Sequence, residues 1–440
     1  MLIMYIIRLS FKHINHLLQI LIATIILTSG ACTQESSKIQ IPQSPLLRSF
    51  ERKSGSIAFI GSDGNVFSMD QAGDNIMQIT DNATLSEGKV LYYTHIAWSP
   101  DSEKIAYVSY SGTSIEEMSA KLYVSNKNGN NSQEIFTGNN MIPIFLYWSP
   151  NSKSLAFLST QTNGNSGILR LSYLDGKDSL IIDSGQPLFW AWAPSSKRIL
   201  IHSNGSSYDS RIAYLYLGDS ITEESLLTDS GSFQVPAFSP NGEEIIYAAK
   251  LEDDKNAIVA TNRISENKKI ITTVKGNTSF DYSPDGRHIA YIDNKTNTNN
   301  NMFGTLNIIQ TQNENTKKLF NIADNVIGFF WSPNGEKVAY FKSTQETDDN
   351  NLRLIDLNIF SVIDETNQNA FRFTPSELFG ALLPYLDQYQ RTFTIWSPDS
   401  KYITVSAYTE NGPAIFVVQP EGNFTPRIVE FGMLSIWSWK

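Results

Sequence analysis

Apolar residues in this chain come in short β-type runs, and the same polar punctuation precedes them. Ile105-Ala106-Tyr107, Leu155-Ala156-Phe157, Ile245-Ile246-Tyr247, Ile289-Ala290-Tyr291 and Val338-Ala339-Tyr340 each follow a charged or polar pair. Before the pair stands a turn: Trp98-Ser99-Pro100-Asp101-Ser102, Trp148-Ser149-Pro150-Asn151-Ser152, Trp192-Ala193-Pro194-Ser195-Ser196, Phe238-Ser239-Pro240-Asn241-Gly242, Tyr282-Ser283-Pro284-Asp285-Gly286, Trp331-Ser332-Pro333-Asn334-Gly335 and Trp396-Ser397-Pro398-Asp399-Ser400. Proline presets the backbone for the second position of a type I turn, and Asp, Asn, Ser and Gly suit the positions after it. The motif therefore ends one strand and begins the next, antiparallel to it. The aromatic before Ser-Pro is an apolar plug at the end of the first strand.

Successive motif aromatics lie 50, 44, 46, 44, 49 and 65 residues apart. That period suits one four-stranded sheet per repeat, the blade of a β-propeller. One such sheet cannot bury both faces, so neighbouring blades must cover each other. An eighth copy begins at Leu434-Ser435-Ile436-Trp437-Ser438, while Ser56-Ile57-Ala58-Phe59-Ile60-Gly61 reads as a second strand lacking its first. The expected fold is all-β: an eight-bladed propeller, with seven blades the nearest alternative. The C-terminal strand would complete the N-terminal blade and abolish the open edges. A polar run, Asn294 to Asn301, is expected as an exposed hairpin loop.

Between Tyr340 and Trp396 the period breaks. The extra residues read as a helical insert over 374–391, with Thr374 as cap, Pro375 at the first position and Glu377 completing a capping box. Leu378, Leu382, Leu383 and Leu386 share its apolar face. The insert leads into an innermost strand, where it would gate or extend the mouth of a central channel.

The first 31 residues are not part of the repeat. Arg8 and Lys12 precede an apolar stretch, Leu17 to Leu27, of signal-peptide length. Thr28-Ser29-Gly30-Ala31-Cys32 resembles the lipobox of bacterial lipoproteins. Cys32 is the single cysteine, so no disulfide forms within the chain. The reading is a signal peptide over 1–31, a lipidated tether over 32–50 and a propeller over 51–440, anchored to a membrane of the cell envelope through lipid on Cys32. Loss of Arg8 and Lys12 with the leader takes the formal charge from −10 to −12. No basic stripe offers a nucleic-acid surface.

The repeated Trp-Ser-Pro-Asp motifs resemble the TolB-type, or WD-like, propeller repeat family over roughly residues 56–440. The resemblance implies a secreted bacterial envelope protein with a propeller fold. The family pattern of six blades behind an α/β domain is not matched, because too few residues separate Cys32 from Ser56. A role in the Tol–Pal system is therefore not carried over.

Catalytic signatures are sparse. There is no Gly-x-Ser-x-Gly elbow of the kind that propeller-bearing serine hydrolases carry. His95, His202 and His288 fall in different repeats, so no metal or other cofactor is expected. A propeller hydrolase or lyase acting on glycans would need paired carboxylates at the channel mouth, and Asp183, Asp229, Asp281, Asp324 and Asp387 are the candidates. The preferred reading is a non-catalytic scaffold binding a protein, peptide or envelope polysaccharide. Its candidate contacts are Tyr93, His95, Phe189, Gln234, Gln388, Tyr389 and Arg391, on the first strands and after the insert.

Overall fold

The turns predicted from the sequence build a common hydrogen-bonded unit. The computed structural model describes residues 53–84, 90–113, 119–161, 167–204, 210–226, 230–233, 235–251, 255–262, 268–298, 301–311, 318–422 and 425–440. Cys32 and the predicted leader and tether lie outside them. In six of the seven motifs the serine hydroxyl donates to the Asp or Asn side chain two residues on, at 2.5–2.8 Å. The same hydroxyl accepts the N–H five residues on, at 2.9–3.0 Å. Ala193 replaces the serine in the remaining copy, and only the backbone bonds persist there.

The fourth residue of each turn has a positive φ. Glycine fills it at 242, 286 and 335, and serine at 102, 152, 196 and 400. A left-handed conformation costs an L-residue roughly 1–2 kcal/mol. The serines offset this with a bond between repeats. Ser152 Oγ accepts the Asp101 N–H (2.9 Å), Ser196 Oγ that of Asn151 (3.0 Å), and Ser400 Oγ that of Asn334 (3.1 Å). The chain ends join the pattern: Asp399 N–H donates to Ser54 Oγ (3.2 Å) and Lys440 N–H to Ser102 Oγ (2.9 Å). Indole N–H groups reinforce it. Trp148, Trp192 and Trp396 donate to the carbonyls of Ala97, Tyr147 and Phe330, each the residue before the previous motif aromatic.

The strands form antiparallel meanders. Four sheets each hold four sequential strands, running from Val90–Trp98 to Gln133–Asn139, Met141–Trp148 to Leu180–Gly185, Leu188–Trp192 to Ile221–Leu226, and Ala237–Phe238 to Lys269–Val274. A seven-stranded sheet runs from Asn277–Tyr282 to Thr366–Phe373. Its long strand Leu319–Trp331 pairs through its first part with Asn301–Gln310 and through its second with Lys337–Thr347. A six-stranded sheet joins the first and last described strands. Arg427–Trp437 pairs first with Gly412–Val418, then with Ile57–Gly61, where Ile57 faces Trp437 and Ile60 faces Leu434. Trp190, Trp437, Tyr107, Tyr247, Tyr340 and Phe59 are among the largest fully buried side chains. Each such burial contributes about 1.5–3 kcal/mol.

One expectation needs correction. Asn294 to Asn301 does not form a loop throughout: the hairpin continues, with Thr296 opposite Phe303 and Thr298 opposite Asn301. β-Branched threonines suit such an extension. The strand that leads into the Phe238-Ser239-Pro240 turn, the first of the fifth repeat counted from the N-terminal strands, is only Ala237–Phe238. Pro236 has no N–H to give a ladder. Phe233 instead bridges in parallel to Thr278 of the next repeat, whose N–H donates to Ser232 O (3.1 Å).

Ser152 separates the two effects of a left-handed serine. Ser152→Ala keeps the strain and leaves the Asp101 N–H without its acceptor, a loss of about 1 kcal/mol. Ser152→Gly loses the same bond but relieves the strain, so it should be nearly neutral. Urea midpoints should therefore order wild type and glycine together, above alanine.

Candidate binding site between the innermost strands

Residues 374–391 leave the sheets and pack against the innermost strands of several repeats. The helix α1 (Glu377–Leu382) is capped by Ser376, not Thr374: Ser376 Oγ accepts the Phe379 N–H (3.4 Å). The same hydroxyl donates to Met433 O (2.6 Å). Thr374 instead donates its hydroxyl to Asp348 (2.9 Å). Pro384 falls in a 3-10 turn, Leu383–Tyr385, which separates α1 from the one-turn helix α2 (Leu386–Tyr389). Proline cannot donate the N–H that a continuous helix requires. Leu382, Leu383 and Leu386 are buried as their spacing predicts, whereas Leu378 is half-buried.

The insert touches strands far apart in sequence. Gln388 Nε2 donates to Trp190 O (3.4 Å). The Tyr389 ring lies 4.7 Å from that of Phe145 and 6.2 Å from that of His95. Leu386 rests on Gly328, where a Cβ would meet it at 2.7 Å. Arg391 reaches the irregular seam between the fifth and sixth repeats. Its Nε donates to Asp281 (3.1 Å), one terminal nitrogen to Phe280 O (3.4 Å) and the other to Pro236 O. The Pro236 carbonyl stands free because the strand fails there, and the guanidinium takes its place in the ladder.

Of the candidate contacts, His95, Tyr389, Gln388 and Arg391 thus gather on and around the insert. Gln388 is 1% exposed and Tyr389 7%. Burial pushes the Tyr389 phenol well above its ordinary range. Tyr93 is buried and donates to Asn82 (2.8 Å). Phe189 is half-buried, with its ring 6.4 Å from that of His202. Gln234 lies outside the described residues. Gln388 and Tyr389 are thus packed within the insert's contacts, and His95 stacks against Tyr389.

The described carboxylate candidates have different surroundings. Asp183 pairs with Arg211 (2.6 Å), Asp324 accepts from Thr305 (2.6 Å), and Asp387 is buried in α2. Asp229 lies outside the described residues. Asp281 lines a cavity. Among the described residues no cluster of His, Cys, Asp or Glu suited to a metal ion occurs, and no helix is long and apolar enough to cross a membrane.

That cavity, of about 510 Å³, lies beyond Arg391, among the ends of the innermost strands. Its wall includes Tyr147, Phe238, Tyr282, Trp331, Trp396 and Trp439. Pro240, Pro284, Pro333 and Pro398 border it, and the first three are exposed, so it reaches the surface among the Ser-Pro turns. A smaller cavity of about 230 Å³ shares Tyr147, Arg391 and Trp439 with it. Burial raises the pKa of Asp281, against the opposing pull of Arg391, and pushes Tyr147 up to about 12. The sequence reading placed its candidate contacts on the first strands and at the insert; this cavity lies at the turn ends of those strands. The signal for it was the aromatic before each Ser-Pro turn, read as core alone.

No protein-family model matches the chain, and no curated protein matches it. Solved structures do. Oligogalacturonate lyase in complex with manganese matches with a TM-score of 0.51 at 12% identity, over 84% of this chain and 98% of that one. The β-propeller domain of the Trilobed protease from Pyrococcus furiosus matches with a TM-score of 0.46 at 12% identity, over 77% and 97%. TolB from Acinetobacter baumannii matches with a TM-score of 0.36 at 19% identity, over 60% of this chain and 65%, less than two thirds, of that one. The likeness concerns the fold, which is propeller-like.

Two predictions follow from the packing of the insert. Gly328→Ala forces its methyl into Leu386 and should cost about 1–3 kcal/mol, as overpacking does. Limited proteolysis should then cut within 374–391 first. His95 supplies the second. Its pKa is lowered to about 4 by burial, so the folded chain refuses a proton that the unfolded chain accepts near pH 6.5. Stability should fall by up to ~3 kcal/mol as pH drops from 6.5 to 4. Asp281, with its raised pKa, works in the opposite sense and is present in both proteins compared. Urea unfolding of wild type and His95→Gln should therefore differ in pH slope across this window; equal slopes would mean that His95 titrates freely.

Proposed function

We propose that this chain is an eight-bladed, closed β-propeller that binds a ligand without transforming it, in the cavity among the Ser-Pro turns. The observation that carries the binding reading is the division of the space between the innermost strands. The insert fills one part, and the remainder is a cavity walled by aromatic side chains with one ion pair, Arg391–Asp281, on it. Ligand sites have this character: concave, mostly apolar, with few polar groups, and roughly 300–1,000 Å³ in volume. The blade count is supported by eight successive groups of antiparallel strands, with Leu319–Trp331 and Arg427–Trp437 each shared between two. Closure is supported by the pairing of Arg427–Trp437 with Ile57–Gly61.

In this reading the ligand site lies at the turn end of the first strands, and its ligand is a protein, a peptide or an envelope polysaccharide. Hydrolysis or elimination would require a second acid or base beside Asp281, and the other described candidates lie elsewhere. We further propose that lipid on Cys32 anchors the chain to a membrane of the cell envelope; the lipobox-like Ser29-Gly30-Ala31-Cys32 supports this.

The test is native mass spectrometry of the full chain purified in detergent from envelope membranes. Wild type should carry a bound species that Trp439→Ala loses, and Cys32→Ser should leave the membrane fraction. If incubation with envelope polymers instead yields smaller products, and Asp281→Asn abolishes them, the binding reading is wrong.

A further inference from the structure

The composition of the cavity wall narrows the chemistry of its occupant. We infer that the cavity takes a neutral sugar, its carbon face against the aromatic side chains and its hydroxyls on the Arg391–Asp281 pair. This rests on the binding reading above.

Charge is the first argument. Among the described residues, Asp281 and Arg391, in contact at 3.1 Å, are the only charged side chains lining either cavity. Their charges cancel. A cationic ligand would be attracted by the aromatic rings but would face a guanidinium already among them. An anionic ligand would meet the Asp281 carboxylate. An uncharged ligand meets neither penalty.

Hydrogen-bonding capacity is the second. A guanidinium has five N–H donors. Three point at Asp281, Pro236 O and Phe280 O, which leaves two. In Asp281, one carboxylate oxygen accepts the Tyr282 N–H (2.9 Å) and the other accepts Arg391, and each retains a lone pair. Two donors and two acceptors on one ion pair match adjacent hydroxyls, which both donate and accept. A peptide would bring backbone donors and acceptors in greater number than this pair alone can satisfy, and unmade bonds are costly.

Shape is the third. About 510 Å³ suits a small ligand or the end of a chain. The adjoining 230 Å³, reached past Tyr147 and Trp439, offers room for a further ring. A protein partner would instead need a broad contact of ~800 Å² per side.

Three of the lining residues are tryptophans, so binding is readable by their fluorescence. The full chain is titrated with N-acetylglucosamine, cellobiose and maltose, and in parallel with galacturonate, choline and a tetraglycine peptide. A saturable change is expected with at least one neutral sugar. It should be unaltered between 0.05 and 0.5 M salt, a range over which ionic attraction is screened, and weakened at least tenfold by Trp439→Ala. Trp439 is 40% exposed near the chain end, and a melting curve of the variant confirms its fold. Tyr147→Phe gives a second, isosteric probe of the same wall. Saturable binding of galacturonate, choline or the peptide alone overturns the sugar assignment and leaves the binding reading standing. No saturable change with any of the six also overturns the assignment. If wild type and Trp439→Ala then also carry the same species, or none, in native mass spectra, the binding reading falls with it.

Discussion

A four-stranded antiparallel sheet has two faces and cannot hide both, so everything in this chain depends on how one repeat is held against the next. The hydroxyl at the start of each Ser-Pro turn closes the turn on itself, and the serine at its end reaches the neighbouring turn. Ser152, Ser196 and Ser400 accept backbone N–H groups of the preceding repeat while adopting a conformation that glycine fills at 242, 286 and 335. The interaction sets the spacing of turns, and the turns carry the prolines and aromatics that border the cavity. Strand termination and site construction are therefore the work of the same residues.

A second constraint comes from the space that the innermost strands leave between them. Apolar side chains facing it need neighbours, and the insert supplies them: Leu386 on Gly328, Tyr389 on Phe145, and Gln388 on the Trp190 carbonyl. The insert also mends a local defect. Pro236 interrupts the fifth first strand, and Arg391 caps the carbonyl left without a ladder partner. Such a buried guanidinium is tolerable only when its charge is paired, and a charge stripped of its partner inside a protein typically costs several kcal/mol. Asp281 provides that match, which ties a structural clamp to the wall of the cavity.

This coupling explains why the period-breaking segment is a poor guide to an exposed surface. Inserts in repeat proteins often serve partners, and Tyr389 and Arg391 attract attention for that reason. Here their side chains turn inward, because the space between the strands is apolar and the reward for filling it exceeds that of an exposed position. What remains open lies at the opposite ends of the same strands, where the motif aromatics stand.

The amino-acid order by itself determined the repeat. Turn chemistry is local: Ser-Pro-Asp-Ser and its variants carry their own hydrogen-bonding plan within five residues, so the turns and the antiparallel order of the meanders were legible, while the hairpin extension over 294–301 and the strand shortened at Pro236 were not. The inward Leu382, Leu383 and Leu386 followed from helical spacing. Tertiary structure alone decided the site. Arg391 meets Asp281 across 110 residues and Gln388 meets Trp190 across 198, and no periodicity relates such positions. The choice of Ser376 over Thr374 as cap was also tertiary, because Ser376 gains a second bond to Met433 across 57 residues. Local patterns report the bonds a segment makes with itself; which end of a shared space is filled and which stays open depends on the volume that distant segments leave there.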